Sequence, residues 1–266
     1  MCQYKAAVVL SNGDLIHHEA TDHHDDLLLW AGLADTSRQP NFVRVEFTGP
    51  DLGDIATYAL KVDQDYLPQW WTSEMADDVA RRLRALCERS IVSDRRKILL
   101  GGVWVLVGDA FVDRAENVRI VSMRGSSQVG EMQGSSQVGT MGGSSQVGEM
   151  WGSSQVGTMG DSSQVGAMGG SSQVGEMWDS SQVGEMWGSS QVGTMWGSSQ
   201  VGTMRGSSQV GTMGGSSQVG AMWGSSQVGE MWDFSRVGTM GPNAKAPRKP
   251  APRTATDDIV ATEEGP

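Results

Sequence analysis

Residues 143–151 read GSSQVGEMW, and this nine-residue unit recurs thirteen times between Gly125 and Gly241. Written Gly-Ser-Ser-Gln-Val-Gly-x-Met-z, the unit keeps valine at its fifth position and methionine at its eighth in every copy. The seventh position is Glu, Thr or Ala, and the ninth is Trp, Gly, Arg or Gln. A fixed short period is typical of a solenoid, in which each unit stacks on its neighbours to bury an apolar row.

A helix is a poor interpretation of the unit, because two or three glycines in every nine residues would each cost about 1 kcal/mol in helix propensity. Stacked β-strands suit it better, since each backbone group can then pair with the coils above and below. A nine-residue coil, at about 3.3 Å per residue, has a perimeter of roughly 30 Å and almost no interior. We therefore predict a β-solenoid with about eighteen residues, or two units, per coil.

The side chains expected inside this coil are valine and methionine. They are three residues apart, so the chain must bend between them, and the glycine at the sixth position is the obvious place. The serine at the second position, three before the valine, is also expected to face inward, with a partner for its hydroxyl in the adjacent coil. Position nine is predicted to be on the surface, because no packed core site accepts Trp, Gly and Arg interchangeably.

The tryptophans at the ninth position are candidate binding residues. Rows of exposed aromatic rings suit carbohydrate rings or a protein partner; the alternative is that each ring packs against its own stack. The six tryptophans are Trp151, Trp178, Trp187, Trp196, Trp223 and Trp232.

Aspartates replace the first glycine in three odd-numbered units, so an eighteen-residue coil places them on one side.

The chain divides into four segments, and its predicted fold class is mainly β. Residues 1–96 are predicted to form a small α+β domain, and residues 97–124 an N-terminal cap, since residues 116–124 align with the repeat in degenerate form. Residues 125–241 form the nonapeptide-repeat solenoid. Residues 242–266, rich in Pro, Lys and Arg and then acidic, are predicted to be a disordered tail.

All four histidines of the chain lie in one acidic stretch, residues 17–26. Imidazoles and carboxylates are good ligands for zinc and nickel, so His17, His18, His23 and His24 are candidate metal ligands. Their spacing matches no closed structural site. A polar loop before a helix explains the same composition, because acids are favoured near a helix start.

Catalytic motifs are absent from the sequence. It contains no phosphate-binding Gly-Lys-Ser/Thr loop and no Gly-x-Ser-x-Gly elbow. The serines of the array have no histidine within the array to activate them. We therefore expect no enzyme activity and no cofactor.

The net charge of −11 argues against nucleic acid as a partner. The apolar run at residues 6–10 is too short for a signal peptide or a membrane span. We therefore expect no membrane partner and a cytoplasmic location, with association with a virion as an alternative.

Residues 60–123 and the GSSQVGxMW units resemble a family of short-repeat β-solenoid proteins found as uncharacterised open reading frames in bacterial and phage genomes. The stretches 62–71 and 99–104 are part of that resemblance. The family implies an architecture and no activity or sites. The nine-residue period is also similar to that of calcium-binding nonapeptide solenoids, but the aspartate that those need in each turn is missing from most units here.

The expected function is that of a non-catalytic structural or interaction protein, whose rigid solenoid displays positions seven and nine to a protein or glycan partner. An ice- or carbohydrate-binding solenoid is one alternative, although glutamates interrupt the threonines at position seven. Mimicry of nucleic acid by an acidic rod is another, although eight acids against two arginines in the array is modest. The last alternative is a metal-dependent activity in residues 1–96.

Overall fold

The computed structural model describes residues 5–18, 21, 23–34, 41–51 and 54–247. It is mainly β, with a two-sheet solenoid preceded by a small α+β domain.

The described residues of the N-terminal domain form a four-stranded antiparallel sheet, in the order β2 (Leu15–Ile16), β1 (Lys5–Leu10), β3 (Phe42–Thr48) and β4 (Ala59–Val62), with two α-helices and one short 3-10 helix. The Thr72 hydroxyl caps the longer helix by accepting a hydrogen bond from the Met75 N–H at 3.3 Å. The elements are β1 (Lys5–Leu10), β2 (Leu15–Ile16), α1 (His24–Trp30), β3 (Phe42–Thr48), the 3-10 helix (Ile55–Thr57), β4 (Ala59–Val62) and α2 (Ser73–Ser90).

The solenoid consists of two parallel sheets of nine strands, and successive strands alternate between them. Sheet I contains β5 (Ile91–Val92), β7 (Val103–Leu106), β9 (Arg119–Met123), β11 (Gln137–Met141), β13 (Gln155–Met159), β15 (Gln173–Met177), β17 (Gln191–Met195), β19 (Gln209–Met213) and β21 (Gln227–Met231). Sheet II contains β6 (Arg95–Leu100), β8 (Phe111–Glu116), β10 (Gln128–Gln133), β12 (Gln146–Met150), β14 (Gln164–Met168), β16 (Gln182–Met186), β18 (Gln200–Met204), β20 (Gln218–Met222) and β22 (Arg236–Met240).

The register between neighbouring strands of each sheet confirms the predicted coil of eighteen residues. Val129 pairs with Val147, and Met132 pairs with Met150, in the neighbouring strand of the same sheet. Hydrogen bonding also continues around the corners, where the Ser144 N–H donates to the Gly125 carbonyl at 2.8 Å. Each coil is therefore paired with the next along most of its perimeter.

The predicted inward side chains and the predicted bend are both present. Val147 is 1% exposed and Met150 0% exposed, and the other full coils repeat this pattern. Between neighbouring strands, the residues on either side of the sixth-position glycine are paired, but the glycine itself is not. At Gly211, a Cβ atom would lie 2.6 Å from the Gly193 carbonyl oxygen of the preceding coil, so the bend requires glycine.

The prediction that the second-position serine faces inward is wrong, because the third-position serine does so instead. Ser163 is 0% exposed, whereas Ser162 beside it is exposed. The third and fifth positions are two residues apart in one extended segment and therefore face the same side. The second position belongs to the corner turn, which changes the direction of the chain before that segment begins.

The corner turn places the first residue of each unit in the left-handed region. Gly152 has φ +72°, and Asp161 occupies the same conformation at φ +53°. Glycine and aspartate are among the residues that adopt it most readily. The three aspartates, including Asp179 and Asp233, all precede strands of sheet II, as predicted for an eighteen-residue coil.

The parallel sheets begin upstream of the thirteen units. Residues 97–124, predicted as a cap, contain β7, β8 and β9, and the first rungs begin at Ile91. Val112 and Ala115 take the valine and methionine places, pairing with Val129 and Met132. These coils therefore continue the core of the array with less regular sequence.

At the other end, part of the segment predicted as a tail adds to sheet I. Lys245 pairs in parallel with Gln227, and its N–H donates to the Ser226 carbonyl at 3.0 Å. Residues 242–247 thus cover the edge of β21. The remainder of the predicted tail, residues 248–266, lies outside the described residues.

Helix α2 joins the two parts of the molecule. Its buried residues Val79, Leu83 and Cys87 share one apolar cluster with the N-terminal sheet and with Val103 and Val105 of β7. These two valines occupy outward positions of sheet I. The N-terminal domain therefore covers the outer face of the first coils and leaves the face of the regular array open.

Candidate functional site

The ninth position of each unit lies at a corner of the coil, so the array carries two columns of ninth-position residues on opposite edges. The first column follows the strands of sheet II, and the second follows those of sheet I. The first column comprises Gln133, Trp151, Gly169, Trp187, Arg205, Trp223 and Gly241. The second comprises Gly142, Gly160, Trp178, Trp196, Gly214 and Trp232.

Tryptophan rings in both columns lean towards the following coil. A Cβ atom placed on Gly169 or on Gly214 would overlap the ring of the tryptophan eighteen residues earlier. A Cβ atom on Gly241 would lie 2.9 Å from Cε3 of Trp223. Each of these glycines therefore leaves space for an indole ring from the coil before it.

Where the residue above a tryptophan in the next coil is not glycine, that residue has a flat side chain. The Arg205 guanidinium lies over the Trp187 ring, with Cζ 4.7 Å from the ring centroid. Trp196 stacks on Trp178, with centroids 6.1 Å apart and planes inclined by 20°. The ninth-position residues of neighbouring coils therefore fit one another. This agrees with the alternative that the rings pack against their own stack.

Glutamates at the seventh position hold several of the indole rings. The Nε1–H group of Trp151 donates to Oε2 of Glu149 at 2.8 Å, and that of Trp178 donates to Glu176 at 2.9 Å. Trp232 makes the same bond to Glu230 at 3.1 Å. These bonds fix the ring plane and place a carboxylate at its edge.

Packing leaves a large part of the rings open to solvent. Exposure runs from 40% at Trp187 to 50% at Trp232, and Trp196 is half-buried beneath its neighbour. In the first column, Trp151, Trp187 and Trp223 recur every second coil, a spacing of about 10 Å at about 4.8 Å per coil. This edge is a regular series of fixed aromatic surfaces.

Threonines on the outer face of sheet I form a broken row. Thr140 pairs with Thr158, but Thr158 is followed by Glu176 in the same ladder. Thr194 pairs with Thr212, which is again followed by a glutamate. The face therefore lacks the regular hydroxyl lattice that ice binding would use.

The aspartates of the corner turns bind backbone amides. The Gly143 N–H donates to Oδ2 of Asp161 at 2.7 Å, and the Gly215 N–H donates to Oδ2 of Asp233 at 3.0 Å. In each pair the aspartate lies one coil further along the chain. This gives these carboxylates a structural role in the turns and does not support calcium binding.

The four candidate histidines have different surroundings. His18 packs its ring on Trp30, with centroids 4.2 Å apart. His17 lines a small cavity between the N-terminal domain and β7, together with Arg89 and Trp104, and His23 is exposed immediately before α1.

His24 is the one candidate histidine that joins other ligand-type side chains within the described part of the chain. It is buried as the first residue of α1, and its ligand atoms lie within 4.8 Å of carboxylate oxygens of Glu46 and Asp63. Sequence reasoning missed both acids. They come from β3 and from the end of β4, and only the pairing of those strands brings them to the histidine.

The cysteine in α2 is a core residue. Cys87 is 0% exposed, and burial raises the pKa of its thiol to about 12. Lys5 and Arg84 oppose that rise through their positive charges. Burial also raises the pKa of the Tyr58 hydroxyl above its usual range.

No helix within the described ranges has both the length and the apolar character needed to cross a membrane. Comparison with known proteins finds no matching family model, no matching curated protein and no matching solved structure.

Proposed function

We propose that the protein is a non-catalytic interaction protein whose solenoid presents the two tryptophan columns to an extended, repetitive partner. The observation that carries the proposal is the fixed orientation of the indole rings. Five of the indoles, all except that of Trp232, contact the residue eighteen positions further along the chain. Four of these five residues still have 40–44% of their surface exposed to solvent. Rigid aromatic surfaces contribute contact area at little cost in conformational entropy.

An extended glycan is the partner that this surface fits best. Flat aromatic faces stack on the apolar faces of sugar rings, and the carboxylates of Glu149 and Glu176 stand beside the indoles to accept sugar hydroxyls. The spacing of about 10 Å in the first column repeats along the rod, as the units of a polysaccharide do. Affinity would then come from several weak contacts acting together.

Affinity electrophoresis of the full chain through gels that contain a panel of soluble polysaccharides tests this proposal. Replacing Trp151, Trp187 and Trp223 by glycine removes the first column with a residue that already occupies position nine elsewhere. We expect the wild type to be retarded by at least one polysaccharide and the triple variant to lose most of that retardation. Tyr66→Ala, which removes an aromatic ring that is 69% exposed in the N-terminal domain, is the control.

Two results would contradict the glycan proposal. One is free migration of the wild type through every gel of the panel. The other is equal retardation of the wild type and the triple variant, which would place the contact away from the first column.

A further inference from the structure

The cluster of His24, Glu46 and Asp63 lies in the N-terminal domain, away from the tryptophan columns. We propose that these three side chains bind one divalent transition-metal ion of the zinc class. The inference is independent of the proposed function of the solenoid.

Both ring nitrogens of His24 face oxygen atoms that accept hydrogen bonds. Nε2 lies 3.0 Å from the Val45 carbonyl oxygen, and Nδ1 lies 3.2 Å from Oδ2 of Asp63. A neutral imidazole carries one N–H, so it can donate to only one of these oxygens. A metal ion bound at the other nitrogen would lie between that nitrogen and the oxygen that faces it.

The Val45 carbonyl selects the nitrogen that would bind the metal. If Nε2–H donates to this buried carbonyl, the lone pair of Nδ1 points to the two carboxylates. Metal-binding histidines usually hold their other N–H on a carbonyl or a carboxylate in this way. His24 is only 6% exposed, so packing fixes the orientation of its ring.

The ligand set indicates the class of ion. One imidazole nitrogen and two carboxylates suit zinc and similar transition metals, whereas calcium and magnesium prefer oxygen ligands alone. The charge of two carboxylates balances that of a divalent ion. Asp63 is 57% exposed, which gives the ion access from solvent and leaves room for water as a further ligand.

The bound ion would link three secondary-structure elements of a small domain. His24 begins α1, Glu46 lies on β3, and Asp63 follows the last residue of β4. Lys61 is opposite Glu46 in the β3–β4 register, so the two side chains lie on the same face of the sheet. An ion that binds the folded state and not the unfolded chain raises the melting temperature in a concentration-dependent way.

Isothermal titration of the chelator-washed, full-length protein with Zn²⁺, in the presence of a competing chelator, tests the proposal. We expect one ion per chain and a loss of affinity of roughly tenfold or more in Asp63→Asn and in Glu46→Gln. Asp65→Asn and His23→Ala, which change an exposed acid and an exposed histidine outside the cluster, should bind as the wild type does. Circular dichroism of each variant checks that it remains folded.

NMR of the His24 ring supplies a second readout that folding defects do not mimic. Saturation with Zn²⁺ should leave a proton on Nε2 and none on Nδ1. Three results would overturn the proposal: no Zn²⁺ binding by the wild type at millimolar concentration, unchanged affinity in both cluster variants, or a ring that carries both protons at saturation.

Discussion

Trp151 lies across Gly169, the residue directly above it in the next coil, and occupies the space that a side chain at position 169 would need. The two residues are eighteen positions apart, so their contact exists only because two units form one coil. Position nine therefore couples neighbouring coils, although its side chains are on the surface.

Gly169→Ala should displace the Trp151 ring and destabilise the array by about 1 kcal/mol, because an added methyl group in a filled space forces its neighbours to move. In the Trp151→Gly background the same change should cost close to nothing. A double-mutant cycle from urea unfolding, followed by tryptophan fluorescence, measures this coupling. Gly160→Ala is the control, since the atoms nearest to its Cβ would be 3.9 Å away. Additive effects of the two changes would contradict the contact.

Gly211→Ala tests the sixth-position bend. Its Cβ would lie 2.6 Å from the Gly193 carbonyl oxygen, and backbone atoms of the adjacent coil cannot yield as a flexible side chain can. We expect a loss of stability of about 1–3 kcal/mol. Thermal unfolding by circular dichroism, compared with Gly160→Ala, provides the measurement. Equal melting temperatures of the two variants would show that the bend tolerates a side chain.

Two of the buried serines differ in whether the hydroxyl group makes a hydrogen bond. The Ser163 hydroxyl has no hydrogen-bond partner in the described chain, whereas the Ser136 hydroxyl donates to the Gln133 carbonyl at 2.7 Å. Burying an unpaired hydroxyl is unfavourable, so Ser163→Ala should leave stability unchanged or raise it. Ser136→Ala should lower it by about 1 kcal/mol, because a buried bond is lost. Urea unfolding of both variants distinguishes them, and the reverse order would refute this account.

Burial of Cys87 predicts a dependence of stability on pH. The thiol has a pKa of about 12 in the folded protein and about 8.5 in an unfolded chain, so the unfolded state releases its proton first as pH rises. The stability that this group contributes is complete below about pH 8.5 and declines as pH rises towards 12. Urea unfolding at pH 8 and pH 10 should show a smaller decline in Cys87→Ala than in the wild type. An identical decline in both would assign the effect to other groups.

The repeat predicts the coil because valine and methionine recur at fixed spacing and must both face inward. It does not predict which serine is buried, since that depends on where the corner turn ends and Ser163 enters the extended segment. The match between Trp151 and Gly169 becomes visible in the sequence only when position nine is compared at an offset of eighteen residues. Glu46 and Asp63 could not be assigned to His24, because their approach depends on the pairing of β3 with β4.

The two-unit coil also has a genetic consequence. Loss of one nine-residue unit by replication slippage would move every later tryptophan to the opposite edge and separate Trp151 from Gly169 whenever the break fell between them. Loss of two units would leave both columns on their own edges. Natural copies of this gene should therefore differ in length by multiples of eighteen codons rather than nine.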